Sequence, residues 1–188
     1  MGDETEILFW RRTDIAGLER LTLSVGRDRA LGSSTVIVVE NGGFRLDHRW
    51  RLTPDWRAIS LDVERWSSDV HRRLSIERAE GGWRVDGQRR ADLDGAEEPD
   101  LSITPFCNTL PIRRTPAGVG ASLTLDTCFV DAATMRVTRS RQRYDRLAPD
   151  KLRYGDLGLS AGFEADINVD ARGLVVCYQH LFERVAPA

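Results

Sequence analysis

A chain of 188 residues, 41% hydrophobic and 30% charged, has the size and composition of a globular protein that buries a core, so one domain over 1–188 is expected. A formal net charge of -2 and a pI of about 6.0 exclude a general nucleic-acid binder, whose grip on a phosphate backbone needs a net basic surface. The first residues are acidic where a secretory signal is basic, and no apolar run approaches the roughly 20 residues that cross a bilayer. A cytoplasmic protein that is not membrane-integral is expected.

Taken in order, the chain alternates apolar and polar residues with the period of two that belongs to strands. Leu21, Leu23 and Val25 alternate with Thr22 and Ser24, and Val36 to Val39 is a β-branched run suited to a pleated surface. Asn41-Gly42-Gly43 tolerates the positive φ of a tight turn, which predicts an antiparallel return through Phe44, Leu46 and Leu52. Trp56 to Trp66 predicts a half-buried strand with Ile59, Leu61 and Val63 on one face and the two tryptophans sharing the other. Leu74 and Ile76 lead to turns at Glu80-Gly81-Gly82 and Asp86-Gly87-Gln88. Ala91 to Pro99 reads as a solvated acidic turn, because its spacing does not match a calcium loop.

Leu123 to Phe129 is the longest clean alternation and is expected at the centre of the sheet. On Met135 to Tyr144, Arg139, Arg141 and Arg143 share a face expected to be solvated and paired with acids, while Ser140, Gln142 and Tyr144 share the other. Phe163 to Val169, a turn at Asp170 to Gly173, and Leu174 to Tyr178 predict a last hairpin, with Phe182 and Arg184 in a short tail that turns helical. No amphipathic helical pattern stands out, so the fold class expected is mainly β, a rolled antiparallel sheet.

Asp100 to Arg114, DLSITPFCNTLPIRR, is patterned in a way that an ordinary strand surface does not need. Leu101 and Ile103 alternate with Ser102 and Thr104 until Pro105 removes a backbone donor, and Pro111 repeats the stop. Phe106 to Leu110 is therefore expected as a rigid extended crossing between the prolines. Burying its apolar residues gathers Asp100, Thr104, Asn108, Arg113 and Arg114 at the edge of a core. Two uses compete: a structural network in which an arginine pairs with Asp100, and a site for the polar head group of a ligand. Adjacent residues of an extended chain point to opposite sides, so one of Arg113 and Arg114 is expected to face the site and the other to pair with a carboxylate. Gln142 and Tyr144 are candidates to hydrogen-bond the same ligand.

The stretch resembles a signature of the bacterial family described as putative glycolipid-binding proteins. The match comprises Asp100, Ser102, Thr104 to Phe106 and Asn108 to Arg114, then Gln142 to Tyr144, then Gly173 to Val175, Tyr178, Leu181, Phe182 and Arg184. Cys107 stands where that family usually has threonine, and Gln179 where it usually has proline. The resemblance implies a spiral β-roll, similar to lipoprotein carriers, that encloses an apolar cavity and binds a lipid or glycolipid.

Chemistry finds less support in the residues. His48, His71 and His180 lie far apart without metal-ligand spacing, and no nucleophile elbow, phosphate loop or dinucleotide fingerprint is present, so no metal or cofactor is expected. Cys107, Cys128 and Cys177 are an odd number without paired spacing, as expected of reduced, buried thiols. The leading expectation is a non-enzymatic binder of an amphipathic ligand at Asp100, Thr104, Asn108, Arg113, Arg114, Gln142 and Tyr144. The alternatives are a small enzyme of glycolipid metabolism with Asp100 as acid or base, and an interaction module without a ligand.

Overall fold

The computed structural model describes residues 4–68 and 70–186. Its first half is a run of strands joined mainly by short turns: β1 (Glu4–Arg12), β2 (Gly17–Val25), β3 (Ala30–Val38), β4 (Phe44–Leu52), β5 (Ala58–Trp66), β6 (His71–Ala79), β7 (Gly82–Val85) and β8 (Gln88–Arg89). β9 (Ala96–Leu101) is followed by a 3₁₀ turn (Phe106–Asn108) and a helix, α1 (Thr109–Arg114). The second half is β10 (Ser122–Val130), β11 (Val137–Ala148), β12 (Lys151–Asp156), β13 (Glu164–Val169), β14 (Val175–Tyr178) and β15 (Phe182–Val185).

Among the described residues the 15 strands belong to one sheet, in the order β8 to β1 and then β15 to β9. The chain's two end strands, β1 and β15, therefore pair at the centre, and the sheet grows outward from them in both directions. Every pairing among these described strands is antiparallel except β9 with β10. A parallel pair cannot be joined by a tight hairpin, and the connection here is the 102–121 segment. The two edges of the sheet come together through side chains. The Trp83 indole donates to the Ala96 carbonyl at 2.9 Å, and the Ala58 amide donates to Glu98 Oε2 at 2.8 Å. The result is the rolled, mainly β architecture that the alternation predicts.

The segment between the prolines is not an extended crossing. Phe106 to Ile112 is buried in helical conformation inside the roll, and its side chains serve two apolar clusters: Phe106, Cys107 and Leu110 in the larger, Ile112 in the smaller with Tyr144, Leu152 and Ile167. Pro111 is no stop, because it is the third residue of α1, where a backbone N–H would have no intrahelical acceptor. Phe106 sits edge-on to Trp50 with ring centroids 5.8 Å apart. Gly32 of β3 makes room for it, since a Cβ there would lie 3.3 Å from the phenyl ring. Burying such a ring contributes about 1.5–3 kcal/mol.

Several local expectations fail for identifiable reasons. Ser60 of β5 faces Arg51 while Ala58 faces Leu52, so Ile59 is an extra residue in the ladder and is 37% exposed, whereas Leu61 and Val63 are buried. Trp56 precedes the strand in a left-handed conformation (φ 64°), and it is buried while Trp66 is half-exposed, so the two share no strand face. β10 lies next to the end of the sheet rather than at its centre, and the longest strand is β11. Phe182 to Val185 is a strand, held by β1 and β14, and not a helix. Residues 91–99 are only partly solvated, because Glu98 is 1% exposed. The strand expected through Thr104 ends at Leu101, where the chain turns inward.

Candidate functional site

A pocket of about 270 Å³ opens where β9 runs into the buried segment. Asp100, Ser102, Thr104 and Asn108 form one side; Tyr154, Phe163, Tyr178 and Phe182 form an aromatic wall; Asp156 and Ser160 lie at the rim. The wall follows from strand parity. Tyr154 of β12 is in register with Tyr144 of β11 and Ala165 of β13, while Tyr178 of β14 is in register with Ile167 and with Phe182 of β15, so inward positions of neighbouring strands put their rings side by side. Ring centroids are 5.8 Å apart for Tyr154 and Tyr178 and 6.2 Å for Tyr178 and Phe182.

Behind the polar side runs a chain of hydrogen bonds. The Asn108 amide donates to the Tyr144 hydroxyl at 2.8 Å, the Tyr144 hydroxyl donates to Gln142 Oε1 at 3.2 Å, and the Gln142 amide donates to Asp100 Oδ2. The Cys107 thiol donates to Asp100 Oδ1 at 2.9 Å. Asp100 lies deep in the fold while keeping part of its surface in the pocket, and its burial raises its pKa above the ordinary carboxylate value, opposed by these two neutral donors and reinforced by the charge of Asp156. Burial also pushes the Tyr144 hydroxyl well up, so it stays protonated.

The seven residues selected from the sequence therefore divide. Asp100, Thr104 and Asn108 line the pocket, and Gln142 and Tyr144 stand directly behind them, both nearly inaccessible. Arg113 and Arg114 line a separate cleft of about 680 Å³, together with Arg146, Asp150, Asp170 and Arg172. Neither arginine reaches Asp100. Arg114 pairs with Glu97 at 2.7 Å and with Glu98 at 3.5 Å, while Arg113 lies over the Trp56 ring, 4.3 Å from its centroid, and donates to the Arg172 carbonyl. On a helix the two side chains diverge by about 100°, not by the half-turn of a strand.

Sequence reasoning passed over Ser102, Asp156, Ser160 and the wall residues Tyr154, Phe163, Tyr178 and Phe182 as site residues. The alternation Leu152, Tyr154 already marks Tyr154 as inward. It also passed over a buried polar cluster beneath Thr104. Ser34 at 2.8 Å, Thr104 at 2.9 Å and His48 Nε2 at 3.0 Å all meet Glu19 Oε1, and the Trp50 indole donates to His48 Nδ1 at 3.0 Å. Ser34 bonds the carboxylate rather than the imidazole, and Glu19, Ser34 and His48 are closed off, so this is a structural clasp and no nucleophile–base pair. Among the described residues no group of three or more His, Cys, Asp and Glu is placed to hold a metal ion, and no helix is long and apolar enough to cross a membrane.

A family profile described as "Putative glycolipid-binding" matches residues 7–184. The chain belongs to that family. It is also similar to a solved structure of a DUF1089 family protein from Pseudomonas aeruginosa, at 30% identity over 90% of this chain and 92% of that one, with a TM-score of 0.78. No curated protein matches the sequence. The family match spans the pocket, the cleft and the buried segment between them.

Proposed function

We propose that the protein binds an amphipathic ligand of glycolipid type without transforming it, and holds the polar end in the pocket at Asp100 and Asn108. The observation that carries this reading is the pairing, in one pocket, of an aromatic wall with a polar side anchored by buried hydrogen bonds. Rings of tyrosine and phenylalanine suit the C–H face of a sugar, and a small number of fixed polar groups suits its hydroxyls. A volume of about 270 Å³ is at the small end of small-molecule sites, so it suits a head group rather than a whole lipid. Apolar chains would leave along the surface between Phe163, Leu181 and Phe182. The test is native mass spectrometry of freshly purified protein, with and without a glycolipid extract. A retained or acquired adduct of amphiphile mass is expected; a chain that carries none and takes up none overturns the reading.

One observation favours a second reading, a small hydrolase: Asp100 is a carboxyl made harder to ionise by burial at the wall of a pocket that also holds Asp156. Turnover of a glycolipid that is abolished by Asp100→Asn while binding persists would select it.

A further inference from the structure

We propose that the polar end taken by this pocket is an amino sugar, whose ammonium is held between Asp100 and Asp156 while its ring lies on the aromatic wall. The proposal rests on the pocket reading above and names its ligand class.

Charge is the first argument. The chain carries 27 Lys and Arg residues, and surface acids such as Asp126, Asp145 and Asp166 pair with them. Asp100 and Asp156 form no ion pair among the described residues, and none of the side chains lining the pocket is basic. A phosphate or sulfate would meet two carboxylates there with no cation to offset them, which excludes an anionic head group from this pocket. The arginines stand at the other opening, around Arg113 and Arg146.

Acceptor capacity is the second. A carboxylate offers about four lone-pair sites. Asp100 uses two, on the Cys107 thiol and the Gln142 amide, and Asp156 Oδ1 takes the Gly158 amide at 2.7 Å. Both retain room for a donor, and an ammonium brings three. Third, a cation within about 6 Å of an aromatic centroid is attracted by the ring, so Tyr154 and Tyr178 favour the same charge that the carboxylates do. Asp100, desolvated and beside a second acid, is relieved by a cation and only further burdened by a neutral ring.

The experiment is a calorimetric or NMR titration of the whole protein with glucosamine, N-acetylglucosamine and glucose, where acetylation removes the charge and keeps the ring. Glucosamine is expected to bind at least about tenfold more tightly than either neutral sugar, a factor within the reach of one charge-assisted hydrogen bond. Asp156→Asn and Asp100→Asn should each reduce that preference to about twofold or less. Asp156 is half-exposed, so its variant keeps the test decisive if the Asp100 variant does not fold. Neutral sugars binding as tightly as glucosamine, or a preference unchanged in Asp156→Asn, overturns the amino-sugar assignment and leaves the binding reading standing. Failure of all three sugars to bind, with an intact fold, overturns the pocket reading with it.

Discussion

The Asn108 amide and the Tyr144 hydroxyl meet at 2.8 Å across 36 positions of sequence, and this bond fastens the segment buried inside the roll to β11 of its wall. Tyr144 is fully buried and passes the bond on to Gln142. Replacing it by phenylalanine keeps the ring and strands the Asn108 donor and the Gln142 acceptor without their shared partner. Each stranded group costs about 1–3 kcal/mol, so Tyr144→Phe should lower the unfolding free energy by an amount in that range or above it, read as a fall in the urea midpoint at unchanged slope. An unchanged midpoint would mean that the two amides find each other and the hydroxyl is dispensable.

How much of this was legible in the sequence depends on parity. Leu21 with Leu23 and Ala165 with Ile167 follow the period of two, and glycine turns such as Glu80-Gly81-Gly82 mark the hairpins, so the rolled sheet could be read. Parity also hid information in plain view. Glu19, Ser34 and His48 share the inward side of their strands with Leu21, Val36 and Leu46, and a polar residue on an apolar face is the signal of a buried clasp. The 106–114 segment is illegible by this rule, because a proline reads as a terminator and six residues of helix are too few to show a helical period. Its burial, which splits Arg113 and Arg114 from Asp100, is a tertiary fact with no local signature.

The two arginines should separate in stability. Arg114 is mostly buried against Glu97 and Glu98, and removing one member of a buried pair costs about 3–5 kcal/mol. Arg57 at 3.8 Å and Arg78 at 3.4 Å still face Glu98 when Arg114 is gone, so Arg114→Met should fall below that range yet exceed 1 kcal/mol. Arg113 is exposed, and its contact with Trp56 is of the kind worth about 0.5–1 kcal/mol. Chemical denaturation of Arg113→Met and Arg114→Met checks the order; equal losses would refute it.

The thiols should separate in reactivity. Cys107 and Cys128 are buried, with the first held well above its ordinary pKa by desolvation and the carboxylate of Asp100, and the second pushed up to about 12 by desolvation. Thiolate is the reacting form, so both should resist a thiol reagent in the native protein. Cys177 is half-buried on β14 and should react first. Titration should give one accessible thiol in buffer and three in denaturant, with Cys177→Ser removing the accessible one.

Asp100 should leave its mark on the pH dependence of stability. Burial raises its folded-state pKa above the unfolded value, and the same cause raises Glu98. In the window between the two values the folded state binds more protons than the unfolded one, so these groups favour folding most below about pH 4 and lose that contribution as pH rises through their folded values. Asp47 and Asp166, lowered by hydrogen bonds from Arg45 and from Arg153, act in the opposite sense and mask the effect in the parent protein. The difference between parent and Asp100→Asn isolates it, because the other groups cancel. The variant should be at its greatest disadvantage near pH 4 and should gain on the parent steadily toward neutral pH, as measured by denaturation at a series of pH values. A difference that stays flat over that range would mean that Asp100 ionises as it does in water, and that neither its burial nor Asp156 weighs on it.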